Sequence, residues 1–280
     1  MKPAPFVHHA PRTVDETVAV LAEVGHDGKV LAGGQSLIPV LNMRLASPGH
    51  LVDVNGVAGL DAVDVTDTWV RVGALVRHAG LERHDGAATA LPLLRQAVRN
   101  VAHPAIRNRG TTVGSIAHAD PAGEMPTVLV LTGGVVEAVG AGGRREIDAA
   151  DFFAGPLETT LRHDELVEAV RFGRFAPGTR SAFLESARRH GDYAVCGVGA
   201  LVDGATVQVA LVSVGPGPVV VDLSDAYDGQ RLDEDRAREL VDAQVEPEGD
   251  IHATADYRRH LAHVLVARAV RQAQSDGRAA

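Results

Sequence analysis

The sequence predicts an α+β protein made of three successive units, at residues 1–57, 58–175 and 176–280. Short helices and strands alternate in the first unit, whereas strand pairs joined by turns dominate the second. The third unit begins with three apolar runs typical of strands and ends with helices. The stretch 175–180 contains Pro177-Gly178 and is therefore the expected linker before the third unit.

The composition is that of a globular protein whose core depends on small apolar side chains. Of the 280 residues, 45% are hydrophobic but only 4% are aromatic, so the core must consist mainly of Val, Leu, Ala and Ile. The net charge of −9, without a block of like charges, argues against nucleic-acid binding. Cys196 is the single cysteine, which excludes an internal disulfide and an iron–sulfur cluster or zinc knuckle ligated by this chain alone.

The chain lacks the patterns of a secreted or membrane protein. The N-terminal stretch MKPAPFVHHAPRT has no apolar segment of signal-peptide length. No apolar run reaches the roughly 18 residues that a membrane-spanning helix needs. We therefore expect a cytoplasmic protein.

The first unit reads as two short helices and two strands. Thr13 and Glu16 fit a capping box that starts a helix, which Gly25 then ends. The predicted elements after that helix are, in order, a strand at 29–32, a helix at 37–44 and a strand at 50–54.

The second unit contains two predicted hairpins separated by helices. Strands are expected at 62–65, 69–72, 135–139 and 144–147, and helices at 91–101 and 128–131. A second interpretation of the glycine-rich run 140–143 is a loop that binds a dinucleotide. The run is followed by Arg-Arg-Glu-Ile rather than by an apolar helix, so a hairpin turn is favoured.

The third unit is predicted to hold a three-stranded sheet and two helices. The strands are expected at 181–187, 194–202 and 205–212, the helices at 236–241 and 255–274, and a disordered tail at 275–280.

Residues 32–37, Ala-Gly-Gly-Gln-Ser-Leu, form the first candidate site because they lie between a predicted strand and a predicted helix. Gly33 and Gly34 allow a sharp turn that exposes consecutive backbone N–H groups, and Ser36 adds a hydroxyl donor. Such a nest suits an anion such as a diphosphate. The alternative is a tight turn that binds no ligand.

Residues 107–124 form the second candidate site. Gly110, Thr111, Gly114 and Ser115 offer a surface of small residues rich in N–H and hydroxyl donors. Asp120 could accept hydrogen bonds from ribose hydroxyls, although a carboxylate before a proline is also an ordinary turn signal. A metal site formed by His118, Asp120 and Glu124 is disfavoured because their spacing matches no metal motif.

Five segments that run through nearly the whole chain carry a resemblance to a known family. They are LAGGQSLIPVLNMRLA (31–46), LVDVNGVAGL (51–60), HPAIRNRGTTVGSIAHADPAGEMP (103–126), FLESARRHGDYAVCGVGA (183–200) and HATADYRRHLAHVLVARAV (252–270). In this order they resemble the FAD-binding medium subunits of molybdenum hydroxylases, which include the carbon monoxide dehydrogenase flavoprotein and the flavin domain of xanthine dehydrogenase. The resemblance implies a two-part FAD-binding domain of the vanillyl-alcohol-oxidase type and a C-terminal α/β domain with the three-stranded sheet.

The resemblance also assigns roles to individual residues. It implies that Ala32, Gly33, Gly34, Gln35, Ser36 and Leu37 hold the pyrophosphate of FAD, and that Thr111, Gly114 and Ser115 line the flavin and phosphate path. Asp120 would bind the ribityl or nucleotide part. Tyr193 matches an aromatic residue near the isoalloxazine in relatives, where it would act in the redox chemistry. Without the family context, a packed strand tyrosine is equally expected.

Three positions bear on how the flavin is held and tuned. In fold relatives with covalent flavin, a histidine stands near the position of Gln35; an amide cannot form that bond, so the resemblance implies non-covalent FAD. The family usually has glycine where Val113 stands, and lysine where Glu185 stands. A carboxylate near the flavin would oppose the charge effect of that lysine.

The expected function is electron transfer within a larger complex. The resemblance implies a molybdopterin-containing large subunit, a [2Fe–2S] small subunit, and a small-molecule acceptor that takes electrons from FAD. Two alternatives are a stand-alone FAD-dependent oxidoreductase acting on a small molecule and a degenerate scaffold that has lost FAD. No nucleic-acid or membrane partner is expected.

Overall fold

The computed structural model describes residues 2–276, and its first unit is a small parallel sheet. Its elements are β1 (Val7–His9), α1 (Val14–Val24), β2 (Gly28–Leu31), α2 (Leu37–Asn42) and β3 (His50–Asp53). The strand order is β1-β3-β2. Thr13 caps α1 by accepting a hydrogen bond from the Glu16 N–H at 3.1 Å, while the Glu16 carboxylate accepts from the Arg12 N–H. The predicted start of α1 is therefore confirmed.

The second unit is a five-stranded antiparallel sheet with helices. It contains β4 (Val63–Val65), β5 (Trp69–Gly73), α3 (His78–Arg83), α4 (Asp85–Ala90), α5 (Pro92–Val98), α6 (Pro104–Arg107), α7 (Thr112–His118), α8 (Glu124–Leu131), β6 (Val135–Gly140), β7 (Gly143–Asp148), α9 (Ala149–Phe152), β8 (Phe153–Gly155), β9 (Glu158–Thr159) and β10 (Leu166–Gly173). The order of the sheet is β4-β5-β10-β6-β7, and β8 pairs separately with β9. Both predicted hairpins are present, and residues 140–143 form the turn of the second. The sequence did not predict the central strand β10.

The third unit is a four-stranded antiparallel sheet with two helices. Its elements are β11 (Arg180–Ser186), β12 (Cys196–Asp203), β13 (Thr206–Val212), β14 (Val219–Asp222), α10 (Glu234–Asp242) and α11 (Ala255–Asp276). The three predicted strands are present, but the predicted strand number is corrected from three to four. The edge strand β14 buries only Val221 and follows Pro216-Gly217-Pro218, so its local pattern resembles a loop. Of the predicted tail, Ser275 and Asp276 belong to α11, and 277–280 lie outside the described residues.

The C-terminal sheet is covered on both faces, which positions it against the rest of the chain. Alternate side chains of its strands, including Phe183, Leu201 and Val212, join the hydrophobic core of the second unit, where α5 and α8 pack on the sheet. The opposite face, with Ala200 and Leu211, packs against α10 and α11. Burial on both faces explains the continuous apolar run in β12. Among the described residues, no helix is long and apolar enough to cross a membrane.

Candidate functional site

The first candidate loop leaves β2 and enters α2 with a sharp turn. Gly34 has φ of +71°, a conformation that glycine adopts without the strain of a side chain. The Gln35 side-chain amide donates to the Gly33 carbonyl oxygen at 2.9 Å. Within residues 2–276, the N–H groups of Gly33, Gly34, Gln35 and Ser36 donate no hydrogen bond. Four consecutive donors are therefore free for an acceptor from outside the chain.

The second candidate loop lies directly against the first. A Cβ added to Gly33 would lie 2.7 Å from the Arg109 carbonyl oxygen, 2.7 Å from the Gly110 Cα and 2.9 Å from the Thr111 nitrogen. Only glycine permits this approach of two backbones. The loops from residues 32–37 and 109–115, far apart in the sequence, thus form one continuous surface, which we call the double loop.

Thr111 shapes the second half of the double loop by capping α7. Its hydroxyl accepts a hydrogen bond from the Gly114 N–H at 3.1 Å, and its carbonyl oxygen accepts from the Ser115 N–H at 3.0 Å. The N–H groups of Gly114 and Ser115 are thus used by the cap, which leaves the Ser115 hydroxyl and the Thr111 N–H as the candidate donors.

Asn55 and Arg77 hold the two halves of the double loop together, and sequence reasoning gave neither residue a role. The Asn55 amide donates to the Ala32 carbonyl oxygen at 2.8 Å, and the Arg77 guanidinium donates to the Asn55 side-chain oxygen at 2.6 Å. Arg77 also donates to the Arg109 carbonyl oxygen at 2.5 Å. Burial and the nearby Arg109 charge lower the pKa of Arg77. Asn55 lies in the segment 51–60 that carried the family resemblance, whereas Arg77 had no local signal.

Tyr193 brings the C-terminal unit to the double loop. Its side chain is 64% exposed, and it precedes the buried strand β12 in the chain. The pKa of its hydroxyl is raised by partial burial and by the Asp120 charge, while the Ser36 hydroxyl opposes that rise. Ser36, Asp120 and Tyr193 therefore lie close together, although they come from three different parts of the chain.

Asp120 occupies the turn between α7 and α8. One of its carboxylate oxygens accepts a hydrogen bond from the Ala122 N–H at 2.9 Å, as the turn interpretation predicts. The same carboxylate also acts on the pKa of Tyr193 and of His118. Asp120 thus combines a role in the turn with a position beside the double loop.

Glu124 follows Asp120 at the start of α8, which packs on β12 and β13, and Glu185 lies on β11, the neighbour of β12. Glu124 is 7% exposed, and burial raises its pKa to about 7, with a further contribution from Asp120. Burial and the Glu124 charge raise the pKa of Glu185 to about 8. No ion pair with Arg188 or Arg189 is formed by Glu185 in the described chain. Residues 2–276 contain no group of three or more His, Cys, Asp or Glu side chains suited to a metal.

The two departures from the family pattern have different structural consequences. Val113 is 2% exposed, lies inside α7 and packs in the hydrophobic core, so its side chain points away from the double loop. Its φ is not positive, and glycine is therefore not required there. Glu185, in contrast, lies near the site, because the charge of Glu124 raises the pKa of Glu185 and the charge of Asp120 contributes to the raised pKa of Glu124.

The geometry fits the diphosphate of a dinucleotide such as FAD. A diphosphate needs several hydrogen-bond donors on closely packed backbone. The double loop supplies free N–H groups and the hydroxyls of Ser36 and Ser115, and Gly33 and Gly34 have no side chain to block the approach. Leu37 begins α2 and supplies a backbone position next to these donors.

Comparison with known proteins identifies the family. Residues 4–174 match a family described as the FAD-binding domain in molybdopterin dehydrogenase, and residues 181–273 match the CO dehydrogenase flavoprotein C-terminal domain. The chain is 36% identical to the nicotine 6-hydroxylase medium subunit of Paenarthrobacter nicotinovorans, over 96% of this chain and 98% of that one. It is 33% identical to the carbon monoxide dehydrogenase medium chain of Hydrogenophaga pseudoflava, over 98% of each chain.

Solved structures show the same fold. A chain of the Hydrogenophaga pseudoflava carbon monoxide dehydrogenase that lacks the Mo-pyranopterin moiety superposes with a TM-score of 0.92, at 33% identity and over 98% of this chain and 99% of that one. A chain of quinoline 2-oxidoreductase from Pseudomonas putida 86 gives a TM-score of 0.91 at 34% identity, over 99% of each chain. The protein therefore belongs to the FAD-binding medium subunits of molybdenum hydroxylase-type dehydrogenases and is an oxidoreductase flavoprotein.

Proposed function

We propose that this chain transfers electrons from the iron–sulfur clusters of a partner subunit to an external small-molecule acceptor. The observation that carries the proposal is the double loop, whose free backbone donors suit a diphosphate, in a chain that belongs to the medium-subunit family. FAD supplies a group that accepts and releases one or two electrons. Because Cys196 is the only cysteine and is buried, cysteine-ligated clusters must come from another chain.

The double loop would hold the cofactor through backbone and hydroxyl donors. Residues 32–37 would bind the diphosphate through their free N–H groups, and Thr111, Gly114 and Ser115 would line the adjoining path. Asp120 would accept hydrogen bonds from ribityl or ribose hydroxyls, because its carboxylate is an acceptor beside this surface.

Tyr193 and Gln35 would determine how the flavin is presented. Tyr193, exposed beside Ser36 and Asp120, would pack near the isoalloxazine. Gln35 carries no nucleophile, and its amide is already bonded to the Gly33 carbonyl oxygen. We therefore expect FAD to be held without a covalent bond.

The proposed partners are a molybdopterin-containing large subunit and a [2Fe–2S] small subunit. Two of the similar proteins are named as medium chains or subunits of multi-subunit enzymes, which supports this assembly. We also propose the domain division 1–57, 58–175 and 176–280, which is supported by the separate sheet in each unit. The cytoplasmic location stays a prediction.

The proposal is tested by isolating the affinity-tagged chain from its native cells and analysing what accompanies it. An electron-transfer subunit should copurify with two further chains, iron and molybdenum, and its flavin should be reduced when the complex oxidises its substrate. A yellow protein that is free of metals and oxidises a small molecule alone would support the stand-alone alternative instead. A colourless protein that does not take up added FAD would support the scaffold alternative.

A further inference from the structure

Glu124 and Glu185 lie at one junction between two parts of the fold. The Ser213 N–H donates to the Pro121 carbonyl oxygen at 3.0 Å just before α8, and the β13 residue that precedes Ser213 pairs with Gly197, the β12 partner of Glu185. Glu124 begins α8 in the second unit and is 7% exposed. Glu185 lies on β11 of the C-terminal sheet and is paired with Gly197 of β12. Because Gly197 is a glycine, it places no side chain beside the Glu185 side chain. The carboxyl groups are close enough for the Glu124 charge to act on Glu185. A buried glutamate and a partly buried one therefore lie at the same junction.

Neither carboxyl group has a compensating positive charge in the described part of the chain. Oε2 of Glu185 is buried and has no hydrogen-bond partner there, and the ion pairs of residues 2–276 include neither Glu124 nor Glu185. The titratable groups that face Glu124 from the packed elements are Glu185, Asp120 and Tyr193, which are acidic. A buried carboxylate without a partner is costly, and two adjacent ones are more so.

This arrangement adjoins the double loop. Ser213 joins the segments of Tyr193 and Asp120, because its hydroxyl donates to the Ala194 carbonyl oxygen at 2.8 Å and its N–H to the Pro121 carbonyl oxygen at 3.0 Å. The charges of Asp120 and Glu124 raise the pKa of the Tyr193 hydroxyl, and the Ser36 hydroxyl lowers it. A continuous series of polar groups therefore runs from Ser36 through Tyr193 and Asp120 to the glutamate pair. A change of charge at a flavin bound beside Ser36 and Tyr193 would act on the pair through a partly buried, low-dielectric region.

We propose that Glu124 and Glu185 together hold a proton whose occupancy is linked to the redox state of the flavin. This inference rests on the proposed function, because it places FAD at the double loop. Two electrons delivered to bound FAD would add negative charge beside the pair, and the pair would then take up a proton from water. Loss of the electrons to the acceptor would return that proton to water, so charge and atoms would balance over the cycle.

The protons of the pair can be measured without the cofactor. We would label the full-length apoprotein with [13Cδ]glutamate and follow the side-chain carboxyl resonances by NMR from pH 5 to 10. The resonances that titrate at neutral or higher pH should change in both Glu185→Gln and Glu124→Gln, because coupled groups titrate as a pair. Asp192→Asn, which removes an exposed carboxylate on the neighbouring loop, should leave them unchanged. The absence of any glutamate titrating above pH 6 would overturn the proposal.

The redox link is measured on the FAD-loaded chain by dye equilibration between pH 6 and pH 9. The flavin potentials of the wild type and of Glu185→Gln should coincide at pH 6, where both glutamates of the wild type and the remaining Glu124 of the variant are protonated and neutral. Above pH 8 the variant should have the higher potential by about 30 mV, which corresponds to a tenfold change in a two-electron equilibrium. Asp192→Asn should follow the wild type at every pH. A difference that does not depend on pH would overturn the link.

The two experiments separate this inference from the proposed function. If the chain fails to bind FAD, the proposed function fails and takes the redox link with it, whereas the apoprotein titration still reports on the pair. If FAD binds and the pair titrates, but the flavin potentials of the wild type and of Glu185→Gln change with pH in the same way, only the redox link is wrong.

Discussion

Replacing Gly33 with alanine should separate the two halves of the double loop. The added Cβ would lie 2.7 Å from both the Arg109 carbonyl oxygen and the Gly110 Cα. Both are backbone atoms, so no side chain can rotate to relieve the overlap. Ordinary contacts between carbon atoms begin at about 3.5 Å. The loops must therefore move apart by several tenths of an ångström, and a valine at this position would force a larger movement.

The expected loss of FAD affinity follows from the donors that this movement displaces. Hydrogen bonds to a charged group contribute about 1.5–3 kcal/mol each. Losing two of the free N–H contacts from residues 33–36 would cost about 3–6 kcal/mol, or roughly 10²–10⁴-fold in affinity. The overpacking itself costs about 1–3 kcal/mol of stability, which the fold should survive.

Flavin fluorescence titration of the apoprotein measures this effect, with far-UV circular dichroism to check the fold. The matched control is Gly80→Ala in α3, because its added Cβ meets nothing within 4 Å. Gly80→Ala should bind FAD as the wild type does, whereas a folded Gly33→Ala protein should have lost most of its affinity. Wild-type affinity in a folded Gly33→Ala protein would refute the assignment of the diphosphate to the double loop.

Three further predictions concern residues around the double loop. Arg77→Met should weaken FAD binding about 10–100-fold by removing the hydrogen bonds to Asn55 and Arg109, and unchanged affinity in fluorescence titration would contradict this. Glu185→Lys should raise the reduction potential of the flavin by roughly 20 mV, because a positive charge favours the reduced flavin. Dye equilibration measures this potential, and an equal or lower value in the variant would place Glu185 away from the flavin. The free energy of unfolding should fall as pH rises from about 4.5 to 8, because the raised pKa of Glu185, about 8 against 4.5, makes the native state bind more protons than the unfolded state there. At about 1.4 kcal/mol per pKa unit, the free energy of unfolding should fall by at most about 5 kcal/mol. Urea unfolding measures this fall, and Glu185→Gln should show a shallower dependence on pH than the wild type. Equal slopes of the free energy against pH in the two proteins would count against a buried Glu185 carboxyl.

Local patterns in the sequence predicted the parts of the fold that depend on neighbouring residues. The cap at Thr13, the sharp turn at Gly33-Gly34 and the hairpin at 140–143 each follow from side-chain chemistry within a few residues. The Gly33 approach to Gly110 was not visible, because it joins segments brought together only by tertiary packing.

The missed features share that dependence on distant partners. Strand β10 completes the middle of its sheet by pairing with β5 and β6, neither of which is its neighbour in sequence. Arg77 matters because it reaches Asn55 and Arg109, and Glu185 matters because its carboxyl group is buried beside Glu124. The sequence raised Glu185 only through the family pattern, and in the described chain Glu185 forms no ion pair with Arg188 or Arg189.

The central claim, that the double loop holds a reducible FAD without a covalent bond, is tested most directly by the absorption spectrum of the isolated chain before and after acid precipitation. We predict the spectrum of an oxidised flavin at one FAD per chain, bleaching by dithionite, and complete recovery of the flavin as FAD in the acid supernatant. A chain that stays colourless after incubation with FAD, or flavin that stays on the denatured polypeptide, would contradict the claim.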